Sequence, residues 1–310
     1  MPALNHATNP PGPEESPAGY GRPEWPQPFR PALLMGSVGM SAITVLGFST
    51  AAESWRSGYP LATIGYGGGA SMMAMLTVAM LREAGFRLIG LSGKIRPVQD
   101  PTHGNGVSIP TSRMLAPLLI ALLVAAAAYG VAASVGWFIG VDESLLPDGR
   151  NSRTGAIYMA TLAAVAVTLA LFASWIRVDI VVSIYGEGVE RYSRRRILLS
   201  TKESEVFVRW QDITRIDGRT IDSFQHPGID LQTSSAIPKK LRTPHDGEYK
   251  IALMAHALTS EPNTLFALLK RLHENPDDRK LISEPNAAEL LRPPPLLERF
   301  RIARTLKREA

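Results

Sequence analysis

The sequence predicts a membrane α-helical bundle of four transmembrane helices, followed by a small cytoplasmic β-barrel that is capped by one α-helix. Three observations support this fold class. Four long, apolar runs without charged residues come first in the 310-residue chain, short strand-like segments follow from about residue 178, and an amphipathic helical pattern comes after them. A chain of this length has room for about two domains.

Residues 1–30 form a proline-rich arm that contains few aliphatic side chains. This composition cannot bury enough apolar surface to fold alone, so it predicts a disordered or extended segment. Two roles stay open for the arm: an untethered tail, or a ligand for an aromatic groove on a partner.

The four apolar runs predict transmembrane spans within a membrane domain at 31–177. A hydrocarbon core about 30 Å thick requires roughly 20 helical residues, and each run is long enough. None of the runs contains Asp, Glu, Lys, Arg or His, which argues against a proton-coupled transporter or pump. The predicted spans are about 31–52, 61–81, 114–141 and 155–176.

The distribution of Lys and Arg among the loops predicts the orientation of these spans. The loop between the first two spans carries only Arg56, and the loop between the last two balances its arginines with acidic residues. The second loop is basic, so both termini are expected in the cytoplasm of a multi-pass protein of the inner (plasma) membrane. Its basic residues are Arg82, Arg87, Lys94, Arg96 and Arg113.

A glycine-rich stretch in the second span, Gly65 to Ala70, matches the pattern G-x-G-x-x-A of dinucleotide-binding turns. Such a turn needs a preceding strand, whereas this stretch lies inside an apolar run that begins after Pro60. Gly65 and Gly69 are instead spaced as G-x-x-x-G, which lets two helix backbones approach closely. We therefore predict helix packing at Gly65 and Gly69, with homo- or hetero-oligomers possible through the small-residue faces, and no nucleotide site.

The segment 178–275 has the order of several short antiparallel strands followed by one helix. The helical face comprises Leu265, Leu268, Leu269 and Leu272, and Ser260 is the predicted N-cap. The stretches IVVSIYGEGVERYSRR, VFVRWQDITRI and YKIALMAHALTSEPNTLFALLKRL resemble the bacterial pleckstrin-homology-like (PH-like) domains that occur on membrane proteins of unknown role. The resemblance implies a small PH-like β-barrel capped by an α-helix. The residue usage also resembles that of actinobacterial proteins.

Two groups of arginines are candidates for lipid or partner binding. One follows a predicted strand, and the other belongs to a basic tail at 276–310 that is partly an amphipathic helix. Near an anionic membrane, each cation contributes about 1 kcal/mol of binding. The alternatives are a solvated turn for the first group and a helix packed on its own domain for the second. The candidates are Arg194, Arg195, Arg196, Arg301, Arg304 and Arg308.

No residue pattern for catalysis, a metal or a cofactor stands out. The chain has no cysteine, and its six histidines show no metal-ligand spacing. No nucleophile elbow and no phosphate-binding loop motif is present. The net charge of +5 is accounted for by membrane proximity, so no nucleic-acid partner is expected.

We therefore expect a non-enzymatic membrane protein whose PH-like domain docks a protein or a lipid at the inner leaflet. The expected partners are membrane lipids and a protein of unknown identity. Two alternatives stay open: a component of a lipid or small-solute transporter, and a membrane enzyme with an unrecognised site at its cytoplasmic face.

Overall fold

Four long helices make up the first part of the structure, a computed structural model that describes residues 24–25, 30–140, 145–146, 148–197, 200–221, 226–299 and 301. All four are long and apolar enough to cross a membrane, which confirms the sequence prediction of a multi-pass membrane protein. They are α1 (Pro31–Arg56), α2 (Pro60–Glu83), α3 (Leu115–Phe138) and α4 (Arg153–Trp175).

The starts of three of these helices follow from local sequence. Pro31 and Pro60 stand at the first positions of α1 and α2, where the absent proline N–H leaves no hydrogen bond unmade. Ser152 caps α4, because its hydroxyl oxygen accepts a hydrogen bond from the Gly155 N–H at 3.2 Å.

Consecutive helices of the bundle pack against one another, and Gly68 on α2 lies close to the backbone of α3. A Cβ atom at Gly68 would lie 2.9 Å from the carbonyl oxygen of Ala125 and 3.0 Å from the amide nitrogen of Tyr129. Gly130 makes a similar approach from α3, because a Cβ there would lie 3.0 Å from the carbonyl oxygen of Met159 on α4. The absence of a side chain at these positions allows the backbones to pack closely.

The two glycines singled out in the sequence have different surroundings. Gly65 is buried beneath the side chain of Leu145, which belongs to the connection between α3 and α4. A Cβ at Gly69 would make an ordinary contact, 3.8 Å from a ring carbon of Tyr129. Of these three glycines, Gly68, which lies between the other two, makes the closest approach to a neighbouring backbone.

Within the described part of the chain, eight strands form two antiparallel sheets beside the bundle. The five-stranded sheet has the order β1-β2-β3-β4-β5 and the three-stranded sheet the order β6-β7-β8. No closed barrel forms among the described residues, because β5 and β6 do not pair and are separated by a short 3₁₀ turn. The strands are β1 (Arg96–Asp100), β2 (Gly104–Pro110), β3 (Ile176–Tyr185), β4 (Gly188–Ile197), β5 (Ser200–Arg209), β6 (Ile213–Ile221), β7 (His226–Thr233) and β8 (Lys250–Leu253).

The hairpin β1–β2 comes from the connection between α2 and α3, and the sequence analysis did not predict it. Asp100 stabilises its turn by accepting hydrogen bonds from the N–H groups of Thr102 (2.7 Å) and His103 (3.0 Å). Gly104 completes the turn at φ +76°, a conformation that favours glycine. Because β2 pairs with β3, the connection between two membrane helices becomes part of the sheet.

One hydrophobic core lies between the two sheets and the helix α5 (Pro262–Glu274). The predicted apolar face of α5 is buried there in full. Trp210 is also buried, and its indole N–H donates to the carbonyl oxygen of Tyr185 at 3.0 Å. The prediction that Ser260 caps α5 is wrong: Glu261 is the N-cap, and its carboxylate accepts from the Thr264 N–H at 2.6 Å.

A buried ion pair joins β4 of the five-stranded sheet to the loop that precedes β8. Arg191 on β4 contacts Asp246 through two parallel hydrogen bonds of 2.6 and 2.7 Å, and both side chains are almost fully buried. Burial alone would raise the pKa of Asp246. The hydrogen bonds from Arg191 and from the N–H groups of Ala252 and Thr243 outweigh burial, so the pKa of Asp246 lies below its ordinary value.

Candidate anion-binding site at the membrane end of the sheet

The candidate site lies where the five-stranded sheet meets the transmembrane bundle. Strand β3 starts at Ile176 directly after α4 ends at Trp175, so Arg177 follows the end of a membrane-spanning helix by two residues. Arg113 precedes the first residue of α3 by two positions on the same side of the bundle. Both cations therefore lie close to the expected membrane surface.

The pairing of β3 with β4 adds two more arginines. Asp179 stands opposite Arg194, and Arg177 stands opposite Arg196. Because side chains alternate between the faces of a strand, these four residues share one face of the sheet. Together with Arg113 they line a cavity of about 210 Å³, which we call the arginine cavity. Its volume is below that of typical drug-sized ligand sites, so it suits a small charged group.

The carboxylate of Asp179 forms ion pairs with two of the four arginines. Asp179 lies 2.8 Å from Nε of Arg113 and 3.4 Å from Nε of Arg177. The Asp179 side chain is only 16% exposed, whereas the two arginines are 59% and 63% exposed. The largely covered carboxylate therefore contacts the Nε atoms of both arginines, while much of each arginine side chain stays open to solvent.

The other two arginines of the cavity make no ion pair with Asp179. Arg194 pairs with Glu203 on β5 at 3.2 Å, and this exposed pair lies at the edge of the cavity. Arg196 has no carboxylate partner among the described residues, and its direct cross-strand neighbour is another cation, Arg177. Like charges directly opposite each other on a sheet are destabilising, so an anion would find a favourable place here.

Arg195, the middle residue of the predicted triplet, is not part of the cavity. It stands opposite Val178 on one side and Lys202 on the other, and it is exposed on the opposite face of the sheet. The structure thus brings Arg194 and Arg196 together and separates Arg195 from them. Arg113, Arg177 and Asp179 were not singled out as site residues, since their roles depend on pairing between strands.

The C-terminal tail also reaches the membrane side of the domain. Arg299 is buried, its Nε donates to the carbonyl oxygen of Pro294 at 2.8 Å, and a second guanidinium nitrogen donates to the carbonyl oxygen of Leu88. Leu88 belongs to a turn that closely follows α2. The predicted lipid contact Arg301 is helical and exposed, whereas Arg304 and Arg308 lie outside the described residues.

A second polar cluster lies farther along the same sheet. The Tyr185 hydroxyl donates to Glu190 at 3.1 Å, and the ring of His103 stacks on that of Phe207 with centroids 3.7 Å apart. Burial raises the pKa of Tyr185 to about 12 and also raises the pKa of Glu190. Within the described ranges, no group of three or more His, Asp or Glu side chains could hold a metal ion.

The chain matches no known family model, no curated protein and no solved structure. The geometry of the arginine cavity is therefore the best indication of function in this chain.

Proposed function

We propose that this protein is a non-enzymatic membrane protein whose PH-like domain binds the phosphate group of an anionic lipid at the membrane surface. The observation that supports it best is the arginine cavity, in which four arginines face one carboxylate. Two of its arginines, Arg113 and Arg177, lie within two residues of the ends of α3 and α4. Guanidinium groups bind phosphate oxygens with charge-assisted hydrogen bonds, which is the recognition that this arrangement favours.

The PH-like character of the domain is part of the proposal. Short antiparallel strands followed by one amphipathic helix support it, as does Trp210 at the end of β5. The proposed location is the inner (plasma) membrane with both termini in the cytoplasm. It is supported by the basic connection between α2 and α3, and it would place the cavity at the anionic leaflet.

The spans would fix the height of the domain above the bilayer. A lipid that diffuses laterally then meets the cavity at a high local concentration, so even a modest intrinsic affinity suffices for occupancy. Each arginine near an anionic surface contributes about 1 kcal/mol, roughly a fivefold change in affinity.

The experiment is a thermal unfolding series on the full chain in detergent micelles doped with phosphatidylglycerol or phosphatidylcholine. A ligand that binds only the folded state raises the unfolding midpoint. We expect phosphatidylglycerol to raise it and phosphatidylcholine to leave it unchanged, with the effect reduced in Arg113→Gln. Equal stabilisation by both lipids would refute the proposal. Equal stabilisation by inorganic phosphate alone would replace the lipid with a free anion.

A further inference from the structure

Trp25 lies in the proline-rich arm, yet it is among the buried residues of the domain core. Its side chain is 5% exposed, and it packs edge-on against Phe266 of α5 with ring centroids 5.4 Å apart at 66°. The segment expected to be disordered or extended therefore contributes an aromatic anchor to a domain that begins about 150 residues later.

The domain also contacts the backbone of the arm. The Trp25 N–H donates to Oδ1 of Asn263 at 3.0 Å, and Nδ2 of Asn263 donates to the Trp25 carbonyl oxygen at 3.3 Å. The indole N–H donates to the carbonyl oxygen of Arg219 on β6 at 3.2 Å. One carboxamide thus satisfies both backbone groups of Trp25, in the way that a neighbouring strand would.

The carboxamide that makes these contacts is held in place by the domain itself. Nδ2 of Asn263 also donates to Glu261 at 3.0 Å, and the other carboxylate oxygen of Glu261 accepts from the N–H and the hydroxyl of Thr264. Asn263, Glu261 and Thr264 are all buried. The recognition group is therefore fixed by the start of α5 and does not depend on the arm for its orientation.

Glu24, the residue before Trp25, packs against Gly218 of β6. A Cβ atom at Gly218 would lie 2.5 Å from Cγ of Glu24, so a side chain there would displace the Glu24 side chain. Gly218 precedes Arg219, whose carbonyl oxygen accepts from the indole, so neighbouring residues of one strand contact Glu24 and Trp25.

We propose that the groove between β6 and the start of α5 is a peptide-recognition site for a Glu-Trp segment, and that its resident ligand is the chain's own arm. The groove contacts Trp25 through the Phe266 ring, the fixed Asn263 carboxamide and the carbonyl oxygen of Arg219, which together recognise the backbone and the side chain of one large aromatic residue. It shares no residue with the arginine cavity.

The arm acts in this arrangement as a strap between the domain and the membrane. Residues 26–30 connect Trp25 to the start of α1 at Pro31. Even fully extended, this connection spans only about 20 Å, so the bound arm holds the groove close to the membrane. A short tether also gives the arm a high effective concentration, so a free peptide competes poorly with it.

The test uses the full-length protein in detergent and a fluorescent peptide with the sequence of residues 20–30, measured by fluorescence anisotropy. We expect the peptide to bind Trp25→Ala. Its affinity for the wild type should be lower by a factor of about ten or more, because the tethered arm occupies the groove. A peptide in which alanine replaces the tryptophan, and the double variant Trp25→Ala/Asn263→Ala, should show no binding. Equal binding to wild type and Trp25→Ala would refute the proposal, as would no binding to either.

A second measurement covers the case in which Trp25→Ala does not fold. A specific protease site placed between Trp25 and α1 allows the arm to be cut after the wild-type chain has folded. We expect the cut arm to remain bound and to be displaced by excess peptide. Immediate loss of the cut arm would refute recognition. If the uncut chain is a dimer that dissociates on peptide addition, the arm binds a second copy and the strap within one chain is wrong.

Discussion

Arg177 and Arg196 are direct cross-strand partners, so two arginine side chains project from opposed positions on one face of the sheet where it meets the membrane helices. A like-charge pair of this kind costs up to about 1 kcal/mol. A lipid phosphate bound between the two arginines, as the proposed function requires, would offset that cost.

This relationship predicts opposite effects of Arg196→Gln on stability and on binding. Without anionic lipid, the substitution removes the repulsion, so the unfolding midpoint should stay the same or rise. The additional rise caused by phosphatidylglycerol should shrink. Thermal unfolding with and without the lipid measures both quantities.

Arg195→Gln is the matched control for that prediction. Arg195 stands opposite Lys202, so the substitution also relieves a like-charge pair, but it does so on the opposite face of the sheet. Phosphatidylglycerol should raise the unfolding midpoint of Arg195→Gln by as much as that of the wild type. A lipid response that falls equally in both variants would show that overall charge, and not the arginine cavity, is responsible.

The buried pair of Arg191 and Asp246 predicts a large loss of stability in Asp246→Asn. The substitution leaves a buried guanidinium without its counter-charge, which typically costs about 3–5 kcal/mol. Chemical denaturation followed by tryptophan fluorescence measures it. Asp277→Asn is the control, because that side chain is 97% exposed and its loss should change the free energy of unfolding by less than about 0.5 kcal/mol.

The same pair predicts a dependence on pH. Since the pKa of Asp246 is lower in the folded state, the ionised pair stabilises the protein at neutral pH, and this contribution is lost as the pH falls below about 4. Wild-type unfolding free energy should therefore fall more steeply in acid than that of Asp246→Asn. Parallel pH profiles for the two proteins would contradict the assignment.

The close approach of α2 to α3 predicts that Gly68→Ala is destabilising. The added Cβ would lie 2.9 Å from a backbone oxygen, and overpacking of this kind costs about 1–3 kcal/mol. Gly67→Ala is the control, because a Cβ there meets nothing within 4 Å. Gly67→Ala should be neutral or stabilising, since alanine has a higher helix propensity than glycine. Thermal unfolding in detergent compares the two, and an equal response would exclude close packing at Gly68.

The parts of the fold that depend on local pattern could be predicted from the sequence. The four spans follow from long apolar runs, and the apolar face of α5 follows from its helical spacing. The hairpin β1–β2 was missed because its segment was treated only as a basic loop, in which Arg96 served to assign the membrane orientation. Its pairing partner β3 is also about 70 residues away in sequence. The N-cap of α5 was misplaced by one residue because both Ser260 and Glu261 can accept the capping hydrogen bond.

The arginine cavity and the arm contact depend on distant pairings, which one sequence does not reveal. Arg194 and Arg196 could be selected as a basic group, but only the β3–β4 register separates them from Arg195 and joins them to Arg177. Likewise, Trp25 and Asn263 are 238 positions apart, and a single tryptophan in a proline-rich arm does not indicate its binding site.

The most direct test of the central claim is native mass spectrometry of lipids retained by two double variants of the full chain. Arg177→Gln/Arg196→Gln removes a like-charge pair from the arginine cavity, and Arg195→Gln/Lys202→Gln removes an equivalent pair outside it. Each protein is purified in detergent with equal phosphatidylglycerol and phosphatidylcholine. We expect bound phosphatidylglycerol to be lost only from the first variant. Equal retention by both variants would contradict a lipid site in the arginine cavity.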